Sequence, residues 1–214
     1  MMKRFAVLLF CCLLATWSCK LENTFYMENV DALVNVVDGQ LVSDEGVSFN
    51  VTENASGRHG FLVPDARYYM TFDILNSNLD IRIKQLLDVY VSPATPLTEE
   101  APGHDPVELL QGGFSGGYLN LELGIYKAKG GNHAHPIVFQ YTLDEVKKLN
   151  LRLFHDGGDE NPASLPSSAL ETEVRYYSIP LTGFNFDSLT LTFDVVTTDD
   201  AGATVVEPYT AYLR

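Results

Sequence analysis

Apolar and polar residues alternate along most of this 214-residue chain. That period of two belongs to half-buried β-strands and not to helices. ALVNVV (32–37), VSFNVT (47–52), ARYYMTFDIL (66–75) and IRIKQLLDVYV (81–91) are rich in β-branched and aromatic residues. Turn chemistry bounds each of them, as at Asp38-Gly39 and Asn76-Ser77-Asn78. Four or five closely spaced strands favour a small closed or half-closed barrel, because closure removes exposed edges. The segment SPATPLTEEAPGHDP (92–106) then places four prolines in fifteen residues. Proline supplies no amide donor and rejects helix and central strand alike, so this segment reads as a linker between two domains. Beyond it, YLNLELGIY (118–126), HPIVFQYTL (135–143), LNLRLFH (149–155), EVRYYSIPL (173–181), SLTLTFDVVT (188–197) and TVVEPYTAYL (204–213) have the spacing of a β-sandwich. LDEVKKL (143–149) is the one helical candidate, an extended edge being its alternative. The acidic turn at 198–202 reads as a hairpin.

The N-terminus sets the compartment. MMKRF is a positive start, AVLLFCCLLATWS an apolar run too short to span a bilayer, and Cys19 follows small Ser18 and precedes polar KLENT. This is the layout of a bacterial lipoprotein signal (1–18), with Cys19 the acylated residue and 19–31 a tether; an ordinary secretory signal is the alternative. Cys11 and Cys12 lie in the removed run, so the mature chain has no disulfide framework and no thiol nucleophile. Losing Lys3 and Arg4 takes the formal charge from −14 to −16. Such a balance repels phosphates and excludes nucleic acid as a natural partner.

The segment QGGFSGGYLNLELG (111–124) frames Phe114 and Ser115 with glycine pairs. It has no lysine and no helix for a phosphate cradle. The following strand puts Leu119, Leu121, Leu123 and Ile125 on one face and Tyr118, Asn120 and Glu122 on the other. The glycines therefore read as a turn or bulge. Gly113-Phe114-Ser115-Gly116-Gly117 imitates a nucleophile elbow but enters a strand, outside the βαβ context that motif requires. His133 and His135 share one side of an extended segment, and His155 opens HDGGDEN with Asp156. These four define a candidate metal-dependent site, set against surface turn residues as the plainer reading. Of the tyrosine pairs Tyr68-Tyr69 and Tyr176-Tyr177, at least one member each should enter a core, since neighbours on a strand face opposite sides.

RYYMTFDIL, HDPVELL, GGYLNLEL, NHAHPIVF, LRLFHDGGDEN and RYYSIPL, together with Cys19, give a chain that resembles the NigD-like lipoproteins of Bacteroidota. The resemblance implies an N-terminal OB-like barrel and a C-terminal β-sandwich, in agreement with the proline-rich break; the chain is expected to be all-β, with the barrel over 32–92, a linker over 93–106 and an antiparallel β-sandwich over 107–214. The resemblance implies Tyr118, Leu119, Asn120, His135 and His155 as signature positions, and it brings no activity, cofactor or catalytic residue. The expectation is a lipid-anchored envelope protein, at the outer membrane on either face. It would act as a non-catalytic module for a protein or glycan partner, with Tyr118, Asn120, His133, His135, His155 and Asp156 as candidate binding residues and no metal or cofactor. The alternatives are a metal-dependent enzyme at His133, His135 and His155, and a bacteriocin immunity lipoprotein, the latter suggested by the family's name alone.

Overall fold

The computed structural model describes residues 26–158, 160–199 and 201–213. Cys19, the signal segment and the first part of the tether lie outside them. The described residues form thirteen strands and one 3-10 turn, Ser167–Ala169. The protein is all-β, with a closed OB-like barrel and a sandwich.

The barrel consists of β1 (Met27–Val37), β2 (Gln40–Ser43), β3 (Ser48–Asn54), β4 (Arg67–Ile74) and the first part of β5 (Asp80–Val91). They pair in the order β3-β2-β1-β4-β5, and a β3–β5 pairing closes the ring. The alternation places Val34, Val36, Tyr68, Met70, Phe72, Ile81 and Ile83 inside, all at most 3% exposed. β1 begins earlier than its pattern suggested and takes up residues 27–31, assigned above to the tether. Its pairing with β4 shifts between Met27 and Val30, and Asn29 has φ 54°, so the alternation is broken there.

β5 ties the barrel to the sandwich. Gln85 to Asp88 pair with β4, and Val89 to Val91 run on to pair with β11 (Leu170–Pro180). One sandwich sheet is this end of β5, then β11, β8 (Tyr118–Ala128) and β7 (Val107–Ser115); the other is ordered β13-β12-β10-β9-β6. The latter comprises β6 (Thr95–Pro96), β9 (Ile137–Leu143), β10 (Lys148–His155), β12 (Ser188–Thr198) and β13 (Thr204–Leu213). Leu119, Leu121, Leu123 and Ile125 pack between the sheets against Phe139, Leu151, Leu191 and Phe193. The sandwich was expected to be antiparallel, and most of its pairs are, but β10–β12, β11–β5 and β6–β9 are parallel. β11 leaves for the opposite sheet between β10 and β12, so the chain returns to β10 in its original direction.

Three local readings change. LDEVKKL is neither helix nor extended edge but the β9–β10 hairpin turn. There the Asp144 carboxylate accepts from the backbone N–H of Val146 and Lys148 at 3.1 and 2.8 Å, with Lys147 at φ 56°. The proline-rich segment is packed along the second sheet, with Thr95 opposite Gln140 on an edge position that needs no proline donor. The Gln140 amide fixes it further, bonding the Glu99 carbonyl and the Ala101 N–H at 3.0 Å each. β7 escaped the pattern altogether, because Leu110 is skipped in the β7–β8 register and Gly112-Gly113 lie within the strand.

Of the two glycine pairs, Gly116-Gly117 makes the β7–β8 turn at φ 57° and 81°. A Cβ on Gly116 would lie 2.5 Å from Asp44 Oδ1, whereas one on Gly117 would meet nothing nearer than Thr182 Oγ1 at 3.6 Å. Gly117→Ala is therefore expected to cost about 1 kcal/mol, the left-handed backbone alone. Gly116→Ala should cost clearly more in urea melts, because it also displaces Asp44.

Candidate functional site

On β4 the residues out of phase with the barrel core are Arg67, Tyr69, Thr71 and Asp73. The first two face the outer side of the β7–β8–β11 sheet, where Tyr176 lies opposite Glu122 and Ser178 opposite Asn120. Arg67 is the node between them. Its two terminal nitrogens donate to Asp44 Oδ1 and Oδ2, each at 2.6 Å, with both side chains at most 2% exposed. Nε donates to Ser178 Oγ at 2.8 Å, and the remaining N–H groups reach Asn35 Oδ1 at 2.9 Å and Asn120 Oδ1 at 3.1 Å. All five guanidinium donors are thus used. The Tyr118 ring lies 4.3 Å from the guanidinium carbon, a cation–π contact. Ser115 donates to Asp44, Asn120 donates to Ser115 Oγ at 2.9 Å, and Ser178 Oγ donates to Asn120 Oδ1 at 2.6 Å. Burial pushes the Asp44 carboxyl up, but the bonds from Arg67 and Ser115 outweigh it and hold the group below its ordinary value. Tyr118 and Asn120 are therefore bound into the junction of barrel and sandwich. Ser115, the elbow-like serine, bonds Asp44 and Asn120.

The histidines converge at a second node. His135 Nδ1 is 3.2 Å from His155 Nε2, and His135 Nε2 is 3.2 Å from Glu160 Oε2. His155 Nδ1 faces the Asp105 carbonyl at 3.3 Å. Exposed His133 sits edge-on to His135, its ring centroid 5.0 Å away, and bonds the Asp156 carbonyl at 2.9 Å. The Asp105 carboxylate accepts from Gly157 N at 2.8 Å and Asn161 Nδ2 at 2.7 Å, tying HDP of the proline-rich segment to HDGGDEN. Both ring nitrogens of His135 and of His155 face partners; two neutral imidazoles bring two N–H protons to these three contacts, so one of the three is a contact without a proton. Among the described residues no group of three or more His, Cys, Asp or Glu side chains is arranged to hold a metal ion, nor is any catalytic cluster assembled. Burial lowers both buried histidines, against the pull of Glu160 on His135 and reinforced on His155 by His135 itself.

Between barrel and sandwich lies a cleft of about 180 Å³, with Tyr69, Tyr176, Phe114, Gln111, Glu122 and Asn120 among its walls. Tyr69 and Tyr176 stack at 4.7 Å and 8°, and the Tyr176 hydroxyl donates to Glu122 at 3.3 Å. Their neighbours Tyr68 and Tyr177 go into the two cores at 1% and 6% exposure, as strand alternation requires. Burial, then the nearby Asp31 charge, pushes Tyr69 up to about 12. Sequence reasoning weighed the tyrosine pairs chiefly as core and had Glu160 only as part of HDGGDEN; it missed Asp44, Asp105 and the stacking of Tyr69 on Tyr176. The available signal was the phase of Arg67, which shares a face with Tyr69 in an otherwise apolar-alternating strand.

No family model and no curated protein sequence matches the chain. Solved structures do. The fold is shared with a NigD-like immunity protein. That protein, from Bacteroides caccae, is 20% identical with a TM-score of 0.58, over 87% of this chain and 98% of its own. A protein of unknown function from Bacteroides vulgatus, assigned to DUF1344, is 13% identical with a TM-score of 0.58, over 85% and 90%. Another, from Bacteroides fragilis, provisionally described as a lipoprotein, is 13% identical at a TM-score of 0.53, over 87% and 98%. At these identities the likeness establishes the fold.

Removing one partner of the junction leaves a buried charge unpaired. Asp44→Ala is therefore expected to cost about 3–5 kcal/mol in chemical denaturation. At the histidine node the folded state disfavours protonation of His135 and His155, so the unfolded chain binds more protons as pH drops below the ordinary histidine value of 6.5. Stability contributed by the neutral rings is present above that pH and lost progressively below it. Melting temperature against pH should fall on the acid side of 6.5, and a His155→Gln variant should show a shallower fall over the same window.

Proposed function

We propose that the chain is a lipid-anchored protein of the bacterial cell envelope, acylated at Cys19, that works as a non-catalytic binding module at the outer membrane. Its ligand seat is the tyrosine-walled cleft between barrel and sandwich, and the ligand is a protein or a glycan. The observation that carries this reading is the composition of the cleft. It combines aromatic walls with a few fixed polar groups, the usual makeup of a recognition site; its serine, Ser115, bonds a carboxylate, Asp44, that is already held by Arg67, and among the described residues no histidine lies in the wall. Of the earlier candidates, Asn120 lies in the cleft wall and Tyr118 packs on Arg67 in the adjoining junction. His133, His135, His155 and Asp156 brace the far end of the sandwich. Acylation at one cysteine with two or more chains makes anchoring stable without a spanning helix, and among the described residues no helix is long and apolar enough to cross a membrane. The name of the Bacteroides caccae structure supports immunity to a bacteriocin as a second reading, in which the ligand is a toxin.

With the full chain in detergent, a glycan array and pull-downs of envelope proteins should return a ligand. Tyr176→Ala and Phe114→Ala should weaken its binding at least about tenfold, on the order of 1.4 kcal/mol, with little change in melting temperature for exposed Phe114→Ala and a modest fall for Tyr176→Ala, which also loses the Tyr69 stack and the Glu122 bond. No ligand from either screen, or one indifferent to both substitutions, removes the cleft as the seat. Unchanged sensitivity to bacteriocins on deleting the gene removes the immunity reading.

A further inference from the structure

Among the described residues β7 ends the eight-stranded sheet order and is hydrogen-bonded to β8 on one side only. Exposed strand edges are usually blunted by lysine, proline or a covering loop. β7 contains neither lysine nor proline, and it exposes Leu110 at 48% and Phe114 at 40%. Gly113, near its C-terminal end, has nothing within 4 Å of where a Cβ would stand, so the cleft face of the strand is open there. The edge also has a hollow on each side. The tyrosine cleft, walled by Gln111, Gly113 and Phe114, lies on the outer face. A second cavity of about 540 Å³, with Glu108, Leu110, Tyr126, Val195 and Tyr209 in its wall, opens between β7 and the edge of the opposite sheet.

We propose that β7 is a strand-addition site that takes an extended, cationic segment of a protein partner. This deepens the binding-module reading and rests on it. A strand added to β7 directs successive side chains to opposite faces, so alternate residues enter the tyrosine cleft and the second cavity. Charge decides the occupant. Among the described residues neither hollow has a lysine or arginine in its wall, while Glu122 lines one and Glu108 the other. A formal charge of −14 for the whole chain opposes pairing with a second copy and attracts a basic strand.

The test uses the full chain in detergent as bait for a displayed library of random ten-residue peptides, counter-selected on Leu110→Pro. Leu110 has no residue opposite it in the β8 register, so proline there obstructs the free edge with least damage to the ladder. A Glu108→Lys, Glu122→Lys double variant serves as a second control should the proline variant fold poorly. The expected result is enrichment of peptides alternating basic and apolar residues. They should protect β7 amides from hydrogen exchange and bind each variant at least tenfold more weakly. Absence of enrichment, enriched peptides without positive charge, or protection elsewhere overturns the proposal. So does finding β7 already protected without peptide, which in a sedimenting dimer assigns the edge to a second copy and in a monomer to the chain's own N-terminal segment. A ligand from the glycan array that binds Leu110→Pro with unchanged affinity leaves the binding-module reading standing while removing this one.

Discussion

The Arg67–Asp44 pair is the constraint on which the arrangement of barrel and sandwich depends. A charge at 0% side-chain exposure must have all its hydrogen bonds met, and the guanidinium finds its acceptors on both sides of the junction: Asp44 and Asn35 from the barrel, Asn120 and Ser178 from the sandwich. Removing any one acceptor leaves a desolvated donor, a cost that hydrophobic contacts across the same gap cannot offset. A buried network of this kind favours a single relative placement of its parts over a sliding interface. Gly116 belongs to the same device, since only a residue without Cβ lets the β7–β8 turn come up against Asp44.

That placement creates the cleft. Tyr69 leaves β4 two residues after Arg67, and Tyr176 leaves β11 two residues before Ser178, so the stacked rings stand one step along the same two faces that the arginine network clamps. The candidate binding site and the mechanical joint of the molecule thus share Asn120 and Ser115. Substitutions at Tyr118, Asn120 or Ser115 will therefore report on folding before they report on recognition. Exposed Phe114 and Gln111 separate the two more cleanly.

The histidine node does for the sandwich what the arginine node does for the joint. Asp105, His155, His135, Asn161 and Glu160 come from three distant stretches, and they lock the proline-rich segment and the 156–161 loop onto the ends of β9 and β10. Two imidazoles that spend their nitrogens on each other, a carboxylate and a carbonyl act as cross-links. Among the described residues no buried side-chain nitrogen or oxygen lacks a partner, so both nodes are closed, and the open chemistry of the molecule lies at the cleft and along β7.

Much of the fold was legible in the alternation itself. Leu119, Leu121, Leu123 and Ile125 declared their common face, the paired tyrosines divided between core and surface, and Asp38-Gly39 marked its hairpin, because period and turn chemistry are local properties. Where a bulge broke the phase the sequence was silent, as at Asn29 and Leu110, and β7 was lost with it. LDEVKKL misled because its apolar spacing suits a two-turn helix, while its outcome depended on strands β9 and β10 pairing around it. Tyr118, Asn120, His135 and His155 could be singled out from the chain, but their roles could not. Whether a polar side chain is a site or a fastening depends on which distant groups meet it, and Arg67 with Asp44, or His135 with Glu160, come together only when the sheets are assembled. By itself the sequence determined the strands, their buried faces and the acidic character of the surface. The tertiary structure decided which polar residues were used up in holding the molecule together, and so which were left free to bind.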